Sequence, residues 1–233
     1  MKVLGVTLAR GGSKSVPLKN IRLISGKPLI FYTIREALKC KLIDDYIVST
    51  DSKVISKISK KFGAVIPFVR PKNISKDTST SVESLQHAVK SMEKIKGYQY
   101  DYVVEIMCTN PLKVALDIDS CIAKLKKTKA DSVIAVHKLE EHHPSRIKKI
   151  VNDKIMDFCV KEKIESRRQD LKPFAYIRSG SIYALKRNHL MTDNKRYGSS
   201  NSRPYILPPE RAINIDTEAD VYLAEKLLSS KNK

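Results

Sequence analysis

The chain has 233 residues, with 44 lysines and arginines against 25 aspartates and glutamates, so its formal net charge is +19. Hydrophobic residues at 42% and charged residues at 30% argue against a disordered, collagen-like or coiled-coil protein. No apolar run reaches the roughly 18 residues that a membrane span requires, so we expect no membrane partner. We predict that the first apolar run is a strand rather than a signal peptide, and that residues 1–233 form a single domain.

The positive charge raises the question of nucleic-acid binding, because clustered lysines and arginines attract phosphate. Here the lysines are scattered, aromatic residues are only 6%, and no helix-turn-helix, RRM or KH pattern is present. We therefore expect no nucleic-acid partner, but a lysine-rich surface that attracts small anionic substrates. The four cysteines form neither a C-x-x-C pair nor a zinc pattern, which favours free thiols in a reducing cytoplasm.

The first 140 residues alternate between strand-like and helix-like patterns. Strands are predicted at residues 3–9, 46–50, 64–69, 101–108 and 132–137. The helices between them are predicted to begin at Pro28, to span residues 53–62, to follow a capping box formed by Thr80 and Glu83, and to span residues 116–127. Single helices between strands predict an α/β fold with a doubly wound, mostly parallel sheet.

This alternation stops at about residue 140. Charged pairs, two prolines and short β-like pieces occupy residues 140–181, so we predict a β-rich inserted segment that serves self-association. Residues 181–185 are predicted to return to the sheet. A second capping box, Thr217 with Asp220, predicts a final helix.

A loop rich in glycine and positive charge follows the first strand. It reads Ala-Arg-Gly-Gly-Ser-Lys-Ser-Val-Pro-Leu-Lys-Asn over residues 9–20. It lacks both the G-x-G-x-x-G and the Walker A pattern, so the sequence supports neither a Rossmann dehydrogenase nor a P-loop NTPase. Ligands of such sheets bind beyond the carboxyl ends of strands, and backbone N–H groups with three cations, Arg10, Lys14 and Lys19, suit a polyphosphate. The loop therefore predicts phosphate binding, with a solvated glycine turn as the alternative.

This loop and residues 26–30 resemble the signature of the CMP-N-acylneuraminate synthetases, or acylneuraminate cytidylyltransferases, whose loop reads roughly A-R-x-x-S-K-x-x-P-x-K-N. Further motifs follow in the order of that family, at residues 49–51, 70–81, 142–144, 168–171, 180–183 and 215–220. The resemblance covers nearly the whole chain. It implies a single cytidylyltransferase domain with the Rossmann-like, three-layer fold of the nucleotide-diphospho-sugar transferases, in which residues 140–181 form a homodimer contact.

The resemblance also implies a CTP site. The residues that would bind the nucleotide are Arg10, Gly11, Gly12, Ser13, Lys14, Lys19, Asn20, Arg70, Thr80 and Ser81. Arg70 and Ser81 would contact the cytosine or its ribose. The residues that would hold the triphosphate are Arg10, Ser13, Lys14, Lys19 and Asn20. For Arg70 the alternative is an exposed strand end, and for Thr80 and Ser81 it is helix capping alone. The catalytic charges would come from Arg10, Lys19 and Asp216.

The loop at residues 107–113 is where the resemblance implies binding of an acidic sugar. The family segment reads Q-P-T-S-P-L-R, and its glutamine helps to bind the sugar, but Met107 stands there and donates no hydrogen bond. Either the sugar differs or another group supplies that bond. The residues implied for the sugar are Met107, Thr109, Arg168, Gln169, Arg178, Ser179 and Gly180.

The last motif, residues 214–217, implies a metal site. In the best-known members of the family, two aspartates at this i, i+2 spacing hold Mg²⁺, and Asn214 replaces the first of them here. One carboxylate together with phosphate oxygens can still hold Mg²⁺ or Mn²⁺, so Asp216 with Asn214 is the predicted metal site. A carboxylate that only favours a helix N-terminus is the alternative.

These implications predict an enzyme that converts CTP and an acidic 2-keto sugar, sialic or a related nonulosonic acid, into CMP-sugar and pyrophosphate. Two alternatives stay open. One is CMP activation of a different acid, such as 3-deoxy-manno-octulosonate, legionaminate, pseudaminate or a non-sugar acid. The other is a non-catalytic, basic protein that binds nucleotides or RNA.

Overall fold

The structure is a computed structural model that describes residues 1–12, 16–139, 141–163 and 167–230. Its strands are β1 (Val3–Leu8), β2 (Leu23–Ile24), β3 (Lys27–Pro28), β4 (Asp45–Ser49), β5 (Tyr102–Ile106), β6 (Ser132–Lys138), β7 (Lys148–Val151), β8 (Lys154–Asp157), β9 (Tyr176–Lys186) and β10 (Ser202–Ile206). Its α-helices are α1 (Leu29–Leu38), α2 (Lys53–Lys61), α3 (Ser81–Lys96), α4 (Ala115–Thr128), α5 (Arg187–Met191) and α6 (Glu218–Ser230). Within these ranges, no helix combines the length and hydropathy needed to cross a bilayer.

Six strands form the central sheet in the order β10-β6-β9-β5-β1-β4. All neighbouring pairs are parallel except those of β9, which runs antiparallel to both β5 and β6. Strands covered by helices on both faces must be apolar on both faces, and β1 buries Val3, Leu4 and Val6 completely. The predicted α/β fold with a mostly parallel sheet is therefore confirmed.

Two apolar cores lie on opposite faces of this sheet. One core joins it to α1, α2 and α4, and it includes Ile34, Ile55 and Ile122. The other joins it to α3 and α5, and it includes Leu85 and Leu190. Helices on both faces of one sheet give the predicted three-layer arrangement.

The predicted strand at residues 64–69 is wrong. Only Val65 pairs with β4, through a single bridge to Ile47. Pro67 has no N–H group to continue a ladder of hydrogen bonds, so the pairing stops there. The segment still runs beside β4, because the Arg70 N–H group donates to the Thr50 carbonyl oxygen at 2.9 Å. That bond places Arg70 next to the end of β4.

Both predicted capping boxes are confirmed. The Glu83 N–H group donates to Thr80 Oγ1 at 3.2 Å, and the Thr80 N–H group donates back to Glu83 Oε2 at 2.8 Å. At α6, the Thr217 N–H group donates to Asp220 Oδ2 at 2.7 Å, and the Asp220 N–H group donates to Thr217 Oγ1 at 3.3 Å. Each pair satisfies N–H groups that a helix start leaves without a partner.

The inserted segment departs from the sheet as a hairpin of β7 and β8. The chain returns to the sheet earlier than the predicted residue 181, because β9 already pairs with β6 from Tyr176 onward. The register between β6 and β9 shifts between Ile134 and Val136, opposite Gly180, whose φ angle is +59°. A β-bulge therefore divides β9 into a part near the inserted segment and a part in the centre of the sheet.

Candidate active site

The carboxyl ends of β1 and β5 open into a cleft of about 260 Å³. Parallel α/β sheets bind ligands at this end of their strands. The cleft is lined by eight of the residues predicted from the sequence, Arg10, Lys19, Asn20, Arg70, Thr80, Ser81, Met107 and Thr109. The fold thus brings together three loops that are far apart in the chain.

The first loop is fixed at its start by its own polar groups. Asn20 Nδ2 donates to the Arg10 carbonyl oxygen at 3.0 Å, and the Gly11 N–H group donates to Asp51 Oδ1 at 2.9 Å. The Arg10 guanidinium forms an ion pair with Asp77, which ties this loop to the 70–81 segment. Gly12 is exposed, with open space where a Cβ atom would stand. The predicted phosphate ligands Ser13 and Lys14 lie outside the described residues.

Lys19 and Asp216, two of the predicted catalytic residues, are in direct contact. Lys19 Nζ donates to Asp216 Oδ1 at 2.8 Å and to the Ile215 carbonyl oxygen at 2.9 Å. The Lys19 side chain is 11% exposed, whereas that of Asp216 is 61% exposed. Lys19 therefore lines the cleft and also contacts a carboxylate that is open to solvent.

Asn214 completes this cluster. Its Nδ2 donates to Asp216 Oδ2, while its Oδ1 is buried and, among the described residues, has no hydrogen-bond partner. Carboxylate and amide oxygens are ligands that Mg²⁺ accepts in proteins, so the donor set fits the predicted metal. No group of three or more His, Cys, Asp or Glu side chains with a metal-binding arrangement occurs in the described ranges. A metal at Asp216 would therefore depend on phosphate oxygens as well.

Gly180 supports Asn214 from the bulge of β9. A Cβ atom at Gly180 would lie 2.7 Å from Asn214 Oδ1, and the φ angle of +59° is one that side-chain-bearing residues adopt only with strain. Thr109 Oγ1 donates to the Gly180 carbonyl oxygen at 3.1 Å. Gly180 thus holds the predicted metal segment and the 107–113 loop close together.

Arg70 is buried, not the exposed strand end of the alternative interpretation. It is 3% exposed, its Nε donates to Ser75 Oγ at 3.1 Å, and its Nη2 lies 3.9 Å from Asp51 Oδ1. Burial lowers the pKa of the guanidinium and Arg10 acts in the same direction, whereas Asp51 opposes them. A buried cation with several N–H donors in a cleft wall can read the acceptor edge of a base.

Sequence reasoning missed several residues of the same cleft, namely Ser75, Lys76, Ser79, Ser84, Glu105 and Cys108. Glu105 is 2% exposed and pairs with Arg196, which stacks on the Tyr183 ring at 4.1 Å. The available signal was a lone carboxylate in the otherwise apolar strand β5.

Burial raises the pKa of the Cys108 thiol to about 12, with Lys113 opposing the shift, so Cys108 stays protonated at neutral pH.

Five residues predicted for the sugar do not line this cleft, and Gly180, described above, is one of them. Arg168 and Gln169 line a separate hollow of about 250 Å³ together with Lys138, His143 and Phe174. Arg178 is exposed and stacks on the Tyr197 ring at 4.1 Å, and Ser179 is buried and donates to the Ala135 carbonyl oxygen at 2.9 Å. Ser179 therefore serves the pairing of β6 with β9.

Comparison with known proteins identifies the family of this chain. A family model described as cytidylyltransferase matches residues 4–201. The chain is 31% identical to the pseudaminic acid cytidylyltransferase of Campylobacter jejuni, covering 97% of this chain and 96% of that protein. It is also 31% identical to the CMP-N,N'-diacetyllegionaminic acid synthase of Legionella pneumophila, covering 98% of this chain and 97% of that protein.

Among solved structures, the fold matches that of CMP:2-keto-3-deoxy-manno-octonic acid synthetase complexed with CTP, with a TM-score of 0.72 at 18% identity. The match covers 99% of this chain and 100% of the other. At this identity the likeness establishes the fold. The family model and the two relatives, which match over most of the chain, show that the protein belongs to the cytidylyltransferase family.

Proposed function

We propose that the protein transfers CMP from CTP to an acidic 2-keto sugar of the nonulosonic type and releases pyrophosphate. The observation that carries this proposal is the cleft that gathers Arg10, Lys19 and Arg70 at the carboxyl ends of β1 and β5. Cations converging on one cleft suit a triphosphate, which they meet with charge-assisted hydrogen bonds. Relatives that are named for pseudaminic and legionaminic acid support an acidic sugar as the second substrate.

In this proposal the nucleotide spans the cleft. Arg10, Lys19 and Asn20, with Ser13 and Lys14, hold the triphosphate, while Gly11 and Gly12 let the backbone come close to it. Arg70 lies at the other wall, where its buried guanidinium donates to the acceptor edge of cytosine. Thr80 and Ser81 line the same wall at the start of α3.

The reaction is an in-line displacement. The oxygen of the anomeric hydroxyl forms a bond to the α-phosphorus and releases its proton to water. The bond from that phosphorus to the oxygen bridging to the β-phosphate breaks, so pyrophosphate leaves with the electron pair. Arg10 and Lys19 stabilise the charge that develops on the leaving group, and the cleft walls align the two substrates. Positioning and electrostatics therefore supply most of the catalysis.

Asp216 and Asn214 Oδ1 would hold Mg²⁺ or Mn²⁺, whose charge when bound neutralises phosphate oxygens. The protein prepares this carboxylate from two sides, because Lys19 Nζ contacts one oxygen of Asp216 and Asn214 Nδ2 contacts the other. The two contacts together fix the orientation of the Asp216 carboxylate.

The proposal includes a homodimer formed through residues 140–181. Large apolar side chains of the hairpin face solvent in the single chain, among them Ile150 and Ile155, each 76% exposed. Exposed apolar patches of this kind are typical of protein contacts. Arg168 and Gln169, which lie outside the cleft of their own chain, would serve the acidic sugar at the site of the second copy. The four cysteines are free thiols, which supports the expected cytoplasmic location.

Pyrophosphate release tests the proposed activity. The purified protein is incubated with CTP, Mg²⁺ and one acid at a time from a panel of pseudaminate, legionaminate, N-acetylneuraminate, 3-deoxy-manno-octulosonate and a non-sugar 2-keto acid. We expect release with at least one acidic sugar, and much less with UTP, ATP or GTP in place of CTP. Absence of release with every acid, together with RNA binding that weakens steeply with salt, would favour a nucleic-acid binder instead.

A further inference from the structure

Lys113 is a lysine inside the protein core, at the end of the 107–113 loop. It is 1% exposed. Its Nζ donates to the carbonyl oxygens of Met107 at 2.7 Å and Asn110 at 2.5 Å, and to Thr33 Oγ1 at 2.8 Å. These three acceptors match the three donors of an ammonium group. The Lys113 side chain therefore connects the loop, at Met107 and Asn110, to Thr33 on α1.

An apolar side chain would fill this position at a lower cost. Burial of an ammonium is unfavourable unless a carboxylate pairs with it, and among the described residues no carboxylate forms an ion pair with Lys113. What the lysine adds is the set of hydrogen bonds to the loop carbonyl groups. The presence of a lysine at this buried position is therefore better explained by the loop conformation that it holds than by a contribution to core stability.

Asn110 extends the same network to a second segment. It is fully buried, and its Oδ1 accepts from the N–H groups of Leu112 and Lys113, both at 3.0 Å. Its Nδ2 donates to the Arg211 carbonyl oxygen at 2.8 Å. Next to this contact, the Ile215 N–H group donates to the Thr109 carbonyl oxygen at 2.7 Å. The 107–113 loop is thus bonded to the residues directly before Asp216.

The far side of that second segment is anchored as well. The Arg211 guanidinium forms two hydrogen bonds with Asp117, at 3.0 Å to Oδ2 and 2.9 Å to Oδ1. Asp117 is completely buried on α4. A paired guanidinium and carboxylate fix both distance and angle. Arg211 therefore cannot move without breaking a buried ion pair.

We propose that Lys113 and Asn110 are positioning residues, which hold the 107–113 loop and residues 211–216 together as one unit and so set the spacing between Thr109 and Asp216. Neither residue lines the cleft, and each acts through the groups that it holds. This inference rests on the proposed function, in which Thr109 lies at the sugar and Asp216 at the metal. It predicts damage to the reaction step and to metal binding, but not to binding of the nucleotide.

The test compares Lys113→Met, Asn110→Asp and the control Lys124→Met with the wild type. Met keeps most of the lysine volume without its donors. Asp keeps the acceptor for Leu112 and Lys113 but loses the donor to Arg211. Lys124 also donates to a carbonyl oxygen, that of Pro204 at 2.5 Å, on the exposed side of α4, so its variant removes a similar bond away from the cleft.

Three quantities are measured with the acid that the wild type turns over. We expect kcat to fall about 20-fold or more in both test variants, with KM for CTP within about twofold of the wild type. We also expect the half-saturating Mg²⁺ concentration to rise about fivefold. The third measurement is thermal unfolding in the absence of the acid, so that no turnover occurs. In the two test variants, the shift in Tm caused by CTP alone should persist, while the additional shift caused by adding Mg²⁺ to CTP should shrink.

The outcomes separate the two proposals. If the wild type releases no pyrophosphate with any acid, the proposed function is wrong, and the Tm shifts with Mg²⁺ and CTP still test the positioning role. If the wild type is active and both folded variants keep its kcat and its Mg²⁺ dependence, the positioning role is wrong. If Lys113→Met does not fold, Asn110→Asp alone decides. Equal losses in Lys124→Met would also overturn the inference.

Discussion

The central sheet and the inserted segment treat their apolar side chains in opposite ways. In the sheet, β1 and β5 bury large apolar residues in the core that they share with α3, such as Leu4 and Val103. In the hairpin, Ile150, Ile155 and Phe158 are mostly exposed. The sheet is completed by the helices of its own chain, whereas the hairpin presents a surface that the single chain does not cover. Our proposals follow this difference, since they place chemistry in the first region and association in the second.

Loss of Lys19 is expected to have the largest effect, and it sharpens this division by acting on chemistry alone. Lys19→Ala removes the cation that contacts Asp216 and lines the cleft, so kcat/KM for CTP should fall about 100-fold or more. Steady-state kinetics with pyrophosphate detection measure this fall. Lys186→Ala is the matched control, because Lys186 pairs with Asp131 at 3.2 Å at the opposite end of the sheet. Unchanged kinetics in Lys19→Ala would remove this loop from the site.

A charge placed in the hairpin tests the other half of the division. Ile155→Asp should raise the dissociation constant of the homodimer about 100-fold, because a carboxylate would be buried in an apolar contact. Light scattering over a dilution series measures the change in mass. Leu116→Asp, at a similarly exposed apolar position on α4, should leave the mass unchanged. A wild type that is monomeric at all concentrations would contradict the expected dimer.

Gly180 lies where the two regions meet, and its substitution tests whether they are coupled. Gly180→Ala should lower the free energy of unfolding by about 2 kcal/mol, because the new Cβ atom meets Asn214 and the φ angle is unfavourable. Gly198→Ala isolates the backbone part of this cost, since Gly198 also has a positive φ angle but open space around it. Urea unfolding measures both values. Equal values for the two variants would mean that the contact with Asn214 carries no energy.

A further expected effect concerns the pH dependence of stability. Burial lowers the pKa of Lys113 to about 7, although Cys108, Glu36 and Asp117 oppose the shift. Between about pH 7 and the ordinary lysine pKa of about 10.4, the unfolded chain therefore binds more protons at this position than the folded chain does. The contribution of Lys113 to the free energy of unfolding must then rise with pH across this window, and it is constant below it.

The measurement is the difference in unfolding free energy between the wild type and Lys113→Met. We expect this difference to be constant below about pH 7 and to increase above it. Urea titrations at several pH values supply the data, with Lys124→Met as the control that should show no such trend. A difference that stays level up to about pH 9 would mean that Lys113 keeps its proton in the folded chain.

Local signals predicted most of the fold. The capping boxes at Thr80 and Thr217 act within four residues, and both occur where the sequence predicted them. The strand prediction for residues 64–69 was wrong although their composition is strand-like. A strand also needs a partner edge to pair with, and Pro67 interrupts that pairing. Hydrogen-bond partners from distant segments are not written in any local pattern.

The same limit applies to the candidate site. The phosphate loop could be predicted because its glycines and cations are contiguous, but the partners of its residues lie far along the chain, as Asp216 does for Lys19. Glu105 and Arg196 are 91 residues apart, so their pairing leaves no local trace. The burial of Lys113 was equally hidden, because lysine is normally a surface residue.

The antiparallel strand β9 has a consequence for the proposed homodimer. Its first residues pair with β6 beside the inserted segment, and its last residues lie between β5 and β6 in the middle of the sheet. The chain that leaves the hairpin therefore re-enters the sheet on a strand that is bonded to a neighbour on each side in its second half.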